Sequence, residues 1–183
     1  MQAESSVIRD QLIRLNSNGF LTTNSQPAVN GASSTDPVFG WGRPGGVVYQ
    51  KAYVEFFTSH EKLEALKAAL PQFPSLQLVA SDVTGNKWDS MGNQRMVTAV
   101  TWGVFPGLEI VQPTVVDTEA FMAWKDEAFA LWISQWASKL PAENTAGKDI
   151  VQRIHDSYFL VSVVDNDFIS GNIYAIFDAV IGA

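Results

Sequence analysis

Apolar residues fall at i, i+4 and i+7 through Ile8, Leu12 and Leu15, which predicts a helix capped by Ser5 or Ser6 and stopped by a left-handed Gly19. Phe20 to Thr23 reads as a short strand entering a turn over Asn24-Ser-Gln-Pro27. Ala28 to Gly46 is rich in Gly, Pro, Ser and Asn, with aromatics only at Phe39 and Trp41, and reads as a long ordered loop. Val47 to Phe57 is apolar and β-branched enough for a strand. Thr58-Ser-His-Glu61 then has the form of a capping box, opening a helix that buries Leu63, Leu66 and Leu70 and ends at Pro71. Leu76 to Val83 predicts another strand, and Thr84 to Gln94 a polar loop carrying Trp88.

Arg95 to Phe105 alternates: Met96, Thr98, Val100, Trp102 and Val104 share one face, and Val97, Ala99, Thr101 and Gly103 the other. Glu109 to Gln112 reads as a short strand stopped by Pro113. Asp117 or Thr118 opens the longest helix, ending near Leu140, with Trp124, Ala128, Trp132 and Trp136 repeating every fourth residue. Lys148 to His155 predicts a short helix, Tyr158 to Val164 a strand, and Asn172 to Ile181 a closing helix. Helices and strands intermix without a strict βαβ rhythm. The expectation is one α/β (α+β) domain with a mixed β-sheet core flanked by helices.

Composition narrows the function classes. A chain of 183 residues suits one domain burying roughly 70% of its unfolded surface. The net charge is −7 and no Lys/Arg cluster stands out, so the basic footprint of nucleic-acid binding is missing. No apolar run approaches the ~20 residues of a membrane span, and no signal peptide opens the chain. Cysteine is absent, which excludes disulfides and thiol chemistry. A cytoplasmic location fits these features. Met1 to Glu4 reads as a lead-in cut from something longer.

Few residues carry chemistry of their own. His60 sits in a first helical turn and reads as solvated. His155-Asp156 has the composition of a base and its orienter, but no nucleophile motif accompanies it, and a histidine at a helix C-terminus is stabilised there by the helix dipole. Asp165-Asn166-Asp167 lacks the spacing of a calcium loop and fits Asx-turn chemistry. Lys125-Asp126-Glu127 reads as a solvated helix face, and Trp124, Trp132 and Trp136 as core or subunit interface. No metal-binding or nucleotide-binding motif occurs, and no catalytic constellation emerges. A small hydrolase therefore has no supporting nucleophile. Glu4 and Ser5 at a helix start, Thr22, Asn24, Ser25 and Gln26 along a strand-to-turn, Thr101 and Thr114 together outline at most a small-ligand pocket.

Longer blocks say more. The stretch Ala99 to Asp117 and the run Phe121 to Trp132 hold three of the six tryptophans and two prolines. With Leu15-Asn16, Gly19 to Pro27, Gln50 to Ser59, Trp124 to Ile133 and Ile154 to Phe168, they make the chain, from about Ala3 to Ala183, resemble the C-terminal regulatory domain of eukaryotic methylenetetrahydrofolate reductase. That resemblance implies a non-catalytic domain over residues 1–183 that binds S-adenosylmethionine, which inhibits, or S-adenosylhomocysteine, which competes. It further implies homodimer contacts, and as partners the enzyme's own catalytic barrel and linker, which are absent here. No cofactor is implied for this chain; FAD belongs to the missing barrel. The alternative is a structural dimerisation module that no longer responds to ligand.

The implied ligand set is Gln2, Ala3, Glu4, Ser5, Thr22, Thr23, Asn24, Ser25, Gln26, Thr101 and Thr114. Glu4 suits an ammonium or ribose hydroxyls; the Ser and Thr hydroxyls and helix N–H groups suit a carboxylate. The chain departs from the family at Ser5, usually threonine, and at Gln2, usually a small residue.

Overall fold

The computed structural model describes residues 8–38, 45–90, 101–104, 128–167 and 170–182; for 101–104, 128 and 170 the description is of the backbone alone. The predicted first helix is α1 (Arg9–Ser17), and Gly19 turns it out with φ of +80°. Ile8 occupies the N-cap position without a side-chain cap; Ser5 and Ser6 lie outside the described residues.

Strand β1 (Leu21–Gln26) does not give way to a turn at Asn24 as predicted. It runs on to Gln26, antiparallel to β4 (Tyr53–Ser59), through a bulge at Thr22/Asn24. The bulge adds one residue to β1 and lets polar side chains continue along a paired strand. The supposed loop after Ala28 contains a second strand, β2 (Val29–Ser33), bent at Gly31 with φ of +80° and paired with β3 (Val47–Gln50). The expected strand Val47 to Phe57 is therefore two strands, β3 and β4, broken at Lys51-Ala52.

Side chains hold that break. Gln50 Nε2 donates to the carbonyl of Pro27 at 2.7 Å, and Gln26 Nε2 to that of Lys51 at 2.8 Å. Lys51 Nζ donates to Asn166 Oδ1 at 2.8 Å. Burial lowers the ammonium's pKa, and the nearby Asp165 carboxylate partly offsets the effect.

Thr58 remains in the strand, its hydroxyl donating to the Gly19 carbonyl at 3.3 Å. Ser59 instead caps α2 (His60–Ala69), which places Lys62 where a capping box needs a glutamate. The expected box is thus a single cap. Pro71 lies in the 3-10 turn after α2, then comes β5 (Leu76–Ser81). The predicted polar loop carries a short strand, β6 (Lys87–Asp89), with Lys67 Nζ 4.7 Å from the Trp88 ring centroid. β7 (Thr101–Val104) pairs with β3. The long predicted helix is described as α3 (Ala128–Lys139); α4 (Thr145–Ser157), β8 (Tyr158–Asp165) and α5 (Ser170–Ile181) complete the chain as expected in kind. Arg95–Val100, the strand predicted at Glu109 and Lys125-Asp126-Glu127 lie outside the described residues.

The expected α+β, helix-flanked architecture holds, and each described strand pairing is antiparallel. One sheet has the order β1-β4-β8-β5-β6 and the other β2-β3-β7. β4 and β5 run the same way, because both pair antiparallel with β8. The helix between them crosses over the place that β8 later fills, so the sheet carries an α/β connection without a parallel ladder.

Alternation gives this sheet two unlike faces. Val54, Phe56, Leu76, Leu78, Val161 and Val163 point to an apolar core shared with Leu15, Leu63, Leu66, Ile173 and Phe177. The rings of Phe20, Phe56 and Phe177 meet edge to face with centroids 5.0–5.4 Å apart. On the other face Phe57 and Leu160 pack under Phe129, Trp136 and Ile154 of α3 and α4. Phe56→Ala is expected to lower the unfolding free energy by about 3–5 kcal/mol, read as a lower urea midpoint with unchanged slope.

Candidate functional site

Register assembles a polar row on the second face. Glu55 of β4 lies opposite Ser162 of β8, which lies opposite Val79 of β5; on its other side Glu55 faces Asn24 of β1. The bulge brings Thr23 to the same place: its hydroxyl donates to Glu55 Oε1 at 2.8 Å. Trp132 Nε1 reaches down from α3 and donates to the same oxygen at 2.8 Å. Glu55 and Ser162 are both 0% exposed, and among the described residues neither Glu55 Oε2 nor Ser162 Oγ has a hydrogen-bond partner. Removal from water favours the uncharged acid and raises the Glu55 pKa, against the pull of the two donated hydrogen bonds.

The β1 segment above this row is half-buried at all six positions and is an edge strand of its sheet. Thr22 is held by a reciprocal pair with Asn16: Asn16 Nδ2 donates to its hydroxyl at 2.6 Å, and its backbone N–H donates to Asn16 Oδ1 at 3.1 Å. Asn24 Oδ1 accepts from the backbone N–H of Ser25 at 2.9 Å. Thr22 and Ser25 lie opposite Phe56 and Val54, while Asn24 and Gln26 lie opposite Glu55 and Tyr53. The segment therefore presents hydroxyls and amides on both sides of a sheet edge. Thr101 lies in β7, across from Gln50. Gln2, Ala3, Glu4, Ser5 and Thr114 lie outside the described residues, so the structure brings together Thr22 to Gln26 only.

Sequence reasoning missed Asn16, Glu55, Trp132 and Ser162. The one local signal was a glutamate inside the otherwise apolar run Tyr53 to Phe57. The other candidates resolve simply. His155 Nδ1 and Asp156 Oδ1 stand 2.7 Å apart at the exposed end of α4. Asp165 Oδ1 accepts from the Asp167 backbone N–H at 2.9 Å, the expected Asx turn. Among the described residues no cluster fits a metal ion, and no helix is long and apolar enough to cross a membrane.

The family model described as "MTHFR, SAM-binding regulatory domain" matches residues 1–181. The chain belongs to this family. It is 52% identical over 177 residues, 97% of this chain, to a probable methylenetetrahydrofolate reductase (NADH) of Oryza sativa subsp. japonica. Identity is 49% to methylenetetrahydrofolate reductase (NADH) 1 of Arabidopsis thaliana, again over 97% of the chain. It is 46% to a probable methylenetetrahydrofolate reductase (NADPH) of Caenorhabditis elegans, over 92%. The chain spans 30% of the length of the two plant proteins and 26% of the nematode one.

The raised pKa of Glu55 has a stability consequence. An acid whose folded-state pKa exceeds its unfolded value contributes most below the unfolded pKa, and that contribution is lost as pH rises through the folded one. Glu55→Gln, which cannot ionise, should match the wild type at about pH 4 and become the more stable protein at about pH 8. Urea midpoints at the two pH values check this; parallel midpoints would mean that Glu55 ionises without cost.

Proposed function

We propose that this chain is the ligand-sensing part of a methylenetetrahydrofolate reductase, binding S-adenosylmethionine or S-adenosylhomocysteine and shifting the activity of a catalytic domain joined to it. The family match over residues 1–181 carries the reading. The residues fit the ligand: its amino-acid end needs donors for a carboxylate and acceptors for an ammonium, and its ribose needs both. Thr22, Thr23, Asn24, Ser25 and Gln26 supply such groups on one half-buried strand. Gln2, Ala3, Glu4, Ser5, Thr101 and Thr114 complete the proposed set, with Glu4 for the ammonium or ribose.

Regulation on this reading is a population shift. Ligand biases the arrangement of sensor and catalytic domain only by its differential affinity for the two states. The methylated ligand favours the inhibited arrangement, and its demethylated product competes without inhibiting. Reduction of methylenetetrahydrofolate, with its flavin and nicotinamide, belongs to the remainder of such an enzyme. Pairing of two copies through this domain completes the proposal.

Calorimetric titration tests the binding step. Both ligands should bind saturably, Glu4→Lys should abolish binding, and Thr114→Val should weaken it by about 0.5–1.5 kcal/mol. Binding unchanged in both variants would remove those residues from the site; no binding to the unaltered chain would defeat the reading.

A further inference from the structure

The two ligands of the proposed sensor differ in one methyl group and one charge at sulfur, a sulfonium in one and a neutral thioether in the other. A site that responds to one and not the other must contain a group that registers the difference. Among the described residues, the group placed to do so is a carboxyl under the ligand strand. Glu55 lies opposite Asn24 and accepts from Thr23, so a ligand held on Thr22 to Gln26 sits on the order of 5–10 Å, one to two strand spacings, from the carboxyl. With 0% exposure, the carboxyl is screened by protein rather than by water.

We infer that Glu55 is the residue that distinguishes the sulfonium from the thioether, by giving up its proton to solvent when a positive sulfur is placed over the β1 bulge and keeping it when a neutral sulfur is. The inference rests on the proposed ligand. Geometry sets the balance. As the anion, Glu55 has Oε1 satisfied by Thr23 and Trp132, while Oε2 has no donor among the described residues. As the neutral acid, Glu55 avoids a buried charge, but its Oε2 still has no partner, since Ser162 Oγ on the opposed residue makes no hydrogen bond with it among the described residues. Among the described residues neither form is fully satisfied: the anion is buried with one oxygen undonated and the acid has no acceptor for its proton, so a cation placed nearby favours the anion.

No charged group among the described residues does so in the free protein. β1 brings Thr23 and Asn24 to this face, β8 brings Ser162, and α3 brings Trp132. The titratable groups on the elements around it are Tyr53 on β4, Tyr158 and Asp165 at the ends of β8, Lys139 in the last turn of α3, and Lys148, Asp149, Arg153, His155 and Asp156 on α4. His155 is occupied by Asp156, and none of these groups contributes to the raised Glu55 pKa.

The test is titration calorimetry of this chain with each ligand in two buffers of unlike ionisation enthalpy, which reads protons exchanged on binding. S-adenosylmethionine should release a substantial fraction of one proton and bind more tightly as pH rises through the Glu55 titration; S-adenosylhomocysteine should release none. Glu55→Gln keeps an oxygen for Thr23 and Trp132. It should abolish the proton release and weaken S-adenosylmethionine by about tenfold, while leaving S-adenosylhomocysteine within about twofold. Equal weakening of both ligands would reduce Glu55 to a packing role and overturn the inference, as would identical proton exchange for the two ligands in the wild type. The wild-type comparison stands even if the variant fails to fold. Wild-type binding without the proton signature removes this inference alone, whereas absence of any binding removes the proposed function and this inference with it.

Discussion

The five-stranded sheet depends on β8, the last strand in the chain, seated between β4 and β5. Those two strands run in parallel and are about 10 Å apart, too far to bond one another; only the antiparallel ladders on both edges of β8 join them. The polypeptide therefore has to leave a gap under α2 and fill it some eighty residues later, a long-range closure of the kind that slows folding. Once filled, β8 is buried on both faces. Val161 and Val163 join the apolar core beneath α1, α2 and α5, and Leu160 joins the aromatic layer beneath α3 and α4. Ser162 falls between, opposite Glu55. The polar row exists because this register sets Ser162 beside the glutamate on one side and Asn24 on the other.

Hydrophobic period revealed α1, α2, β8 and α5, since each buries one side or all of itself and writes that burial into its sequence. β1 beyond Thr23, β2 and β6 escaped because they are polar edge or near-edge strands. Their pairing comes from backbone ladders, and their side chains resemble those of loops. The break at Lys51-Ala52 was equally hidden: it is made by amides of Gln26 and Gln50 and by a lysine reaching Asn166, 115 residues away. The Thr22 to Gln26 part of the candidate site was legible as a concentration of hydroxyls and amides and through resemblance to a family. Glu55 was not, because Trp132, one of its partners, lies 77 residues further on and no local pattern links them. Asn16, close to Thr22 in sequence, was visible as part of a matched block but not as its clamp.

Two local concessions in stability coincide at this place. A bulge interrupts the β1–β4 ladder, and a carboxyl is removed from water with one of its oxygens unpartnered. A regular ladder over an apolar residue would be the more stable choice on both counts. Sequences that are consistent everywhere else tend to depart from such rules where function requires it. The surroundings also decide what kind of response this site can give. β4 is paired along both edges and buried on both faces, so the strand beneath the ligand segment is held by the core and has little room to move. On the proposed reading, a ligand resting on β1 would act on a rigid floor, through groups at the strand surface and through charge. The differential affinity that a regulatory ligand requires would on that reading come from chemistry at the strand surface, such as the ionisation of a buried acid, and not from movement of β4.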